Sequence, residues 1–286
     1  LSLNNSYELF EVRTEVNRVI LNPNTPYNLR IKLNYDFIAF GIQFSPDFLP
    51  GNGDVDLKGR TKSFQIGTML LFRHWFADLS YSSVQGYYLA NTDEYRPFTS
   101  GDAFIQFPDL HHDRIRLSSA YIHNSKFSYK SIIAHTERQL KSAGSFLPVF
   151  NFNYFIVDDK SDAPTTQKSK NLEFNLGPGY AHTFVYKQDY YLSLSLNTNL
   201  GYLRSDLTTR TSTGNIEATQ DNLIFRWDGR AGIGYNGRKL YSGAYFSLAG
   251  TRFQQENTTV SNRETRLFYH FFIGLRFKAT KFISNT

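Results

Sequence analysis

The sequence predicts an all-β fold, an antiparallel transmembrane β-barrel of about twelve strands (fourteen as the second choice), with short periplasmic turns and long extracellular loops. Three observations predict this fold. Apolar and polar residues alternate with a period of two, the alternating segments are longer than typical globular strands, and short turns alternate with long polar connections. We expect the whole chain, residues 1–286, to form one barrel domain.

The composition favours strands and excludes several classes of protein. The 286 residues include 26 Phe and 19 Tyr but only 1 Met, and no apolar run approaches the length of a transmembrane helix. The absence of cysteine excludes disulfides, thiolate metal sites and cysteine nucleophiles. The formal charge is +6, but Lys and Arg are spread along the chain, which argues against nucleic acid binding. The first residues lack signal-peptide features, so we expect any such peptide to have been removed.

The predicted strands follow the alternation from one end of the chain to the other. The first covers residues 7–20, and the second is YNLRIKLNY at 27–35, in which Arg30 and Lys32 belong to the polar row. The third covers residues 38–45. The remaining strands are the hairpins 61–72 with 75–88, 113–123 with 127–139, 171–183 with 190–204, and 222–235 with 239–253, followed by 263–278.

One region does not fit this count. Residues 144–157 would add a thirteenth strand, whereas single-chain bacterial barrels have an even number. Either residues 110–157 hold two strands rather than three, or another strand lies within the polar connection 89–112.

The polar rows indicate which face of the sheet meets lipid. In LSLSLNTNL, residues 192–200, leucines alternate with serines and asparagines, and glycines such as Gly41 and Gly67 occupy polar rows elsewhere. A solvated face would favour Lys and Glu, whereas small polar residues suit a crowded barrel interior. We therefore expect the apolar rows to face lipid; a soluble lipid-binding barrel, with the faces reversed, is the alternative.

Charged residues on the inward rows are the candidate site residues. In RWDGR, the charged residues Arg226, Asp228 and Arg230 share one row, which predicts an internal ion-pair ladder or, alternatively, an ion path. The predicted lumen-lining set is Arg30, Lys32, Asp78, Arg116, Glu173, Arg226, Asp228, Arg230, Arg266 and Arg276.

Other motifs do not indicate catalysis. GIGYNG at 232–237 matches a dinucleotide fingerprint, but no helix follows it, so inward-facing glycines in a strand explain it better. His111, His112 and Asp113 could ligate a metal, but they are predicted to lie in a solvated loop. His135 or His182 could serve as the base of a lipase-like pair, yet no serine motif accompanies either. The sequence predicts no enzyme, no metal and no cofactor.

Residues 122–147, IHNSKFSYKSIIAHTERQLKSAGSFL, together with LGPGYAHTF at 176–184, resemble an uncharacterised family of outer-membrane β-barrel proteins of Bacteroidota-type bacteria, catalogued as a domain of unknown function. The resemblance extends over most of the chain from about residue 20. It implies a location in the bacterial outer membrane and transfers no catalytic residue. It also implies that proteins of this type occur as accessory subunits of large envelope machines.

The sequence therefore predicts an integral outer-membrane barrel that is a non-enzymatic accessory subunit of an envelope complex for barrel assembly, secretion or uptake. Its expected partners are outer-membrane lipid and other outer-membrane or periplasmic proteins, not nucleic acid. The alternatives are a small-solute channel with anion preference and a lipid-acting outer-membrane enzyme.

Overall fold

The computed structural model describes residues 2–13, 18–25, 27–49, 51–133, 137–254 and 261–276. This part of the chain forms thirteen strands, two short α-helices and one 3₁₀ turn, Thr92–Glu94. The helices are α1 (Val55–Lys58) and α2 (Tyr129–Ile133). The strands are β1 (Ser2–Arg13), β2 (Arg18–Asn22), β3 (Leu29–Tyr35), β4 (Ile38–Phe44), β5 (Lys62–Leu71), β6 (Trp75–Leu89), β7 (Gln106–Tyr121), β8 (Ala143–Asp159), β9 (Thr165–Tyr186), β10 (Tyr190–Thr211), β11 (Gly214–Asn236), β12 (Leu240–Gln254) and β13 (Ser261–Leu275).

The strands form one antiparallel sheet in the order β2-β1-β13-β12-β11-β10-β9-β8-β7-β6-β5-β4-β3. Tyr88 of β6 pairs with Gln106 of β7 on one side and with Asn22 of β2 on the other. One edge of β6 is paired with β5 as far as Gln85. Beyond Gln85, β2 takes the place of β5 along the same edge. The sheet thus curls into an incompletely closed barrel, joined at one end through β2 and β6.

The number of strands differs between the two ends of the barrel. Because β2 is short and lies at one end only, the other end is bounded by twelve of the described strands, β1 and β3–β13. At this twelve-strand end, β3 pairs with β4 but has no pairing with β1 among the described strands. Twelve strands side by side agree with the predicted number, although the sheet is not closed along its whole height.

Three of the predicted hairpins are confirmed. Residues 61–72 and 75–88 form β5 and β6. The two hairpins that follow β8 are longer than predicted, since β9, β10 and β11 contain 22, 22 and 23 residues. The predicted first strand, 7–20, is instead β1 and β2, and residues 14–17 lie outside the described part.

The predicted hairpin of 113–123 with 127–139 is wrong. Residues 110–157 contain two strands, because β7 pairs directly with β8 from Leu110–Asp159 to Ala120–Val149. The connection between them contains α2, in which the adjacent residues Ser131 and Ile132 are both buried. Adjacent residues within a lipid-facing strand point to opposite faces of the sheet, so one of them would be exposed. The burial of both Ser131 and Ile132 is therefore inconsistent with a strand.

In this connection the described residues, 122–133 and 137–142, fold back into the barrel, and we call them the plug. The plug residues Ile122, Phe127 and Ile132 are buried in an apolar cluster. The wall of the barrel contributes Phe76 of β6, Ala120 of β7, Leu147 and Val149 of β8, and Ala181 of β9 to the same cluster. The main apolar core of the described residues thus lies inside the barrel, at the end where the short turns 36–37, 72–74, 187–189 and 237–239 also lie.

The two faces of the sheet are inverted relative to a water-soluble protein. On β10, Ser193 and Asn199 are buried, whereas Leu194 is 44% and Leu200 is 72% exposed. On β11, the outward Leu223 is 84% exposed. The predicted assignment of faces is therefore confirmed, and the alternative of a soluble barrel with an apolar interior is wrong.

Candidate functional site in the barrel interior

A cavity of about 170 Å³ lies inside the barrel, above the plug. Its lining includes five of the residues that the sequence predicts to face the interior. These are Arg30 and Lys32 of β3, Asp78 of β6, Arg116 of β7 and Arg230 of β11.

The strand register explains why most of these residues meet. Lys32 is opposite Gly41, Gly41 opposite Gly67, Gly67 opposite Ser80, and Ser80 opposite Arg116, so one row of cross-strand neighbours runs along the wall. Residues directly opposite one another lie on the same face of an antiparallel sheet. Because the two glycines in this row carry no side chain, the wall is thin there and leaves space between Lys32 and Arg116.

Arg230 reaches the cavity from a different part of the wall. Its guanidinium carbon lies 3.8 Å from the centre of the Tyr245 ring, which is close enough for a cation–π contact. The Tyr245 ring in turn stacks on His270 with their centres 4.9 Å apart. The buried Nε atom of Arg230 has no hydrogen-bond partner in the described part of the chain. The aromatic contact holds the side chain while leaving this donor unused.

The charge of the cavity lining is strongly positive. Four of the described side chains that line the cavity are cationic, whereas Asp78 is the only carboxylate in that described lining. Charges inside a protein interact more strongly than charges in water because the surroundings are less polarisable. The arrangement therefore favours an anion over a cation in this space.

The plug lies beside the cavity. Met69 lines the cavity and also packs against the apolar cluster beneath it. Tyr129 of α2 stacks on Phe76 with ring centres 4.5 Å apart. Burial raises the pKa of the Tyr129 phenol to about 12, and the phenol lies within the field of Arg230, Asp228 and Asp78. Met69 thus joins the charged cavity to the apolar plug.

Polar contacts fix the plug to turns around the barrel rim. Arg138 Nε donates to the carbonyl of Asn236 at 2.8 Å, and the same guanidinium pairs with Asp189. Lys130 Nζ lies 3.7 Å from a carboxylate oxygen of Asp36. These contacts reach three of the short turns, so the plug extends across the interior rather than lying along one wall.

The other predicted interior residues lie outside this cavity. Arg226 pairs with Glu173 at 3.0 Å, and both side chains are buried, which is the ion pair expected of a ladder. Arg276 follows β13 and donates to the turn at Asn236 and Gly237. Asp228 is half-buried on β11 near Tyr129. Arg266 is opposite Ala249 on β12, and its side chain lies outside the described part.

The structure also locates the motifs that could have indicated chemistry. His111, His112 and Asp113 lie on β7, so the prediction of a loop was wrong, and the described residues contain no cluster of three or more His, Cys, Asp or Glu side chains placed to hold a metal. His182 lies on β9 beside Phe184, with ring centres 4.2 Å apart, and His135 is outside the described residues. The first glycines of GIGYNG lie within β11.

Sequence reasoning missed two features of the site. Tyr245, which contacts Arg230, was not identified. It lies on the inward-facing row of the predicted strand 239–253, so the alternation of that strand could have indicated it. Tyr129 was placed on a strand, and nothing in the local pattern shows that it lies in the plug near Arg230 and Asp78.

No helix in the described ranges is both long enough and apolar enough to cross a membrane.

The exposed apolar face and the buried polar interior are the arrangement of a transmembrane β-barrel. Lipid cannot hydrogen-bond to a backbone, so a chain that crosses with strands must pair them with one another and face lipid with apolar side chains. The outward rows of this sheet meet the second requirement, which places the chain in the bacterial outer membrane.

Several solved outer-membrane structures are similar to this chain. The outer-membrane protease OmpT from Escherichia coli is 8% identical, with 96% of this chain and 94% of that chain covered and a TM-score of 0.43. OmpT of Vibrio cholerae is 8% identical over 94% and 98% of the chains, with a TM-score of 0.39. The translocator domain of the autotransporter NalP from Neisseria meningitidis is 7% identical over 96% and 88%, with a TM-score of 0.30. Similarities this low do not extend to activity, substrate or partner.

Among curated proteins, no sequence matches this chain. One family model matches residues 1–277, nearly the whole length, and it is described as a domain of unknown function. The resemblance noted at residues 122–147 and 176–184 falls within this match. The chain therefore belongs to the family described as Domain of unknown function (DUF4421).

Proposed function

We propose that the chain is an integral outer-membrane β-barrel, a single domain over residues 1–286, that acts as a non-enzymatic accessory subunit of a larger envelope complex. The complex would serve barrel assembly, secretion or uptake. The short turns would lie on the periplasmic side, together with the plug. The predicted relationship to Bacteroidota-type bacteria is part of the same proposal.

The plug is the observation that carries this proposal. A conducting barrel needs a continuous aqueous path, and here the plug occupies part of the interior, with Phe127 and Ile132 packed against the wall formed by β5–β9. The contacts of Arg138 and Lys130 hold the plug against turns on several sides. A barrel whose interior is obstructed by a plug is suited to binding partner proteins through its surfaces and not to conducting solutes through its interior.

The chemistry of the interior supports a non-enzymatic role. Hydrolysis by covalent catalysis requires a nucleophile hydrogen-bonded to a base, which is itself oriented by a third group. Four of the five charged side chains in the described lining are arginine or lysine, and the lining contains one serine, Ser80, but no histidine. We expect the purified protein not to hydrolyse phospholipids or esters, and hydrolysis that a single His182 substitution abolishes would contradict this.

Gentle affinity purification tests the subunit proposal. The tagged chain is extracted in mild detergent and the co-purifying proteins are identified by mass spectrometry, with a tagged unrelated outer-membrane barrel as control. We expect the same envelope proteins to be recovered in stoichiometric amounts in repeated purifications. If only proteins shared with the control are recovered, the chain acts alone and the proposal fails.

A small-solute channel with anion preference is the second candidate. The positive lining of the cavity favours it, since four cations surround the space beside one carboxylate. Large and steady currents through the wild-type protein in planar bilayers, with a reversal potential that indicates anion selectivity, would put this function first.

A further inference from the structure

We propose that the interior cavity is a binding site for a compact oxyanion of the phosphate or sulfate class. Its ligands would be the cationic side chains of the lining, Arg30, Lys32, Arg116 and Arg230. This site does not depend on the accessory role, because an oxyanion can bind whether or not partner proteins are present.

Charge is the first argument for this ligand. Four cationic side chains and one carboxylate surround the cavity among the described residues, which leaves a surplus of positive charge. Like charges confined in a poorly solvated space repel one another, and a bound anion relieves this repulsion. A doubly charged oxyanion relieves more of it than a single chloride ion.

The donor geometry is the second argument. Arg230 lines the cavity, and the Tyr245 ring fixes its guanidinium from one side, with the guanidinium carbon 3.8 Å from the ring centre. Arginine donates to oxyanions through a planar fork of N–H groups, and such charge-assisted hydrogen bonds are stronger than neutral ones. The side-chain amides of Gln43 and Gln65 also line the cavity and provide neutral donors.

The size and position of the cavity are the third argument. A volume of about 170 Å³ is close to that of engineered cavities that accept benzene, so a five-atom oxyanion fits with room for water. The plug lies beside the cavity on the side of the short turns, and Met69 contributes to both the cavity and the apolar cluster. The ligand would therefore enter from the end of the barrel opposite the plug.

Binding of inorganic phosphate to the purified full chain in detergent micelles tests the proposal. Equilibrium dialysis with radiolabelled phosphate is performed at constant ionic strength, with sulfate and chloride as competitors. We expect saturable binding of one phosphate per chain, which sulfate displaces and an equal concentration of chloride does not. A chain that binds no phosphate, or from which chloride displaces phosphate as well as sulfate does, would overturn the proposal.

Two substitutions with opposite expected effects show whether the cavity is the site. Arg230→Met removes a donor and should weaken phosphate binding by about tenfold or more, since charge-assisted hydrogen bonds typically contribute this much. Asp78→Asn removes the carboxylate from the lining and should strengthen phosphate binding. A variant that merely misfolds cannot bind phosphate more tightly, so the Asp78→Asn result separates loss of the site from loss of the fold.

Arg204→Gln serves as the matched control, because Arg204 is an exposed arginine outside the cavity that pairs with the exposed Asp206. Its phosphate affinity should equal that of the wild type. If all three variants bind phosphate with wild-type affinity, the phosphate lies elsewhere and the proposed site is wrong.

Discussion

The buried ion pair between Arg226 and Glu173 is an interaction whose energetics can be measured one residue at a time. Glu173 Oε1 lies 3.0 Å from Arg226 Nη1, and it also accepts a hydrogen bond from Asn175 at 2.7 Å. Removing one partner of a buried pair leaves an uncompensated charge. We expect Glu173→Ala to lower the free energy of unfolding by about 3–5 kcal/mol, measured by urea denaturation in lipid vesicles.

The control for this measurement is Glu217→Ala, which removes an exposed glutamate from β11 and should leave the free energy of unfolding nearly unchanged. Replacing both partners, with Glu173→Met and Arg226→Met together, should restore most of the loss because no lone charge remains. An equal loss in the single and double variants would show that the pair does not act as a unit.

Asn91 is a second residue with a measurable structural role. Its side-chain oxygen accepts from the backbone N–H of Ile20 at 3.0 Å, and its Nδ2 donates to the carbonyl of Arg18 at 2.6 Å. The side chain thus extends the pairing of β2 with β6 beyond the end of β6. We expect Asn91→Leu to destabilise the fold by about 2–4 kcal/mol in the same unfolding assay, since two backbone groups lose their partners. Asn215→Leu, at an exposed position, should cost little; an equal cost for both would refute this role of Asn91.

At the scale of the strand, the two faces of β10 should tolerate the same substitution differently. Leu194 points outward and is 44% exposed, whereas the adjacent Ser195 points inward. We expect Leu194→Arg to destabilise the inserted barrel by about 2–4 kcal/mol if the site lies near the bilayer midplane. Ser195→Arg should crowd the interior but leave the lipid-facing surface intact. Membrane insertion is measured from the gel mobility of the folded form. If Leu194→Arg inserts as efficiently as the wild type, the assignment of faces is wrong.

The contrast between the strands and the plug shows what the sequence can predict. The faces of β10 follow from a period of two, which is a local property of neighbouring residues. The plug depends on Phe127 and Ile132 meeting side chains of β6, β8 and β9, and no local pattern records those distant contacts. The pattern around residues 127–139 therefore predicted a strand. The same limitation applies to the cavity: the inward rows identified Arg230 and Lys32, but their meeting at one cavity depends on the curvature that brings β11 close to β3.

At the scale of the whole molecule, the plug should determine whether the barrel conducts. We expect little conductance from the wild-type protein in planar bilayers, because the apolar cluster and the long arginine side chains obstruct the interior. Replacing residues 125–141 by a short glycine-serine linker should open steady currents. Arg226→Ala with Arg230→Ala should raise conductance by a smaller amount, since the plug remains in place.

The matched control shortens the connection between β6 and β7 at residues 95–101, at the opposite end from the plug. This change should leave the low conductance unchanged. Wild-type currents as large as those of the variant without the plug would show that the plug does not close the barrel.

The position of the plug within the chain also determines an order of assembly. Every residue of the apolar cluster comes from the contiguous stretch 69–181, and the strands around it pair with sequence neighbours. Contacts that are close in sequence form faster than contacts that close long loops. The pairing of β1 with β13 joins the two ends of the chain, so we expect it to be the slow, final step. Until that step β13 and the edge of β1 that faces it lack partners, and unpaired edges invite aggregation. The nascent barrel would thus need its open seam shielded during insertion, even though its interior is already organised.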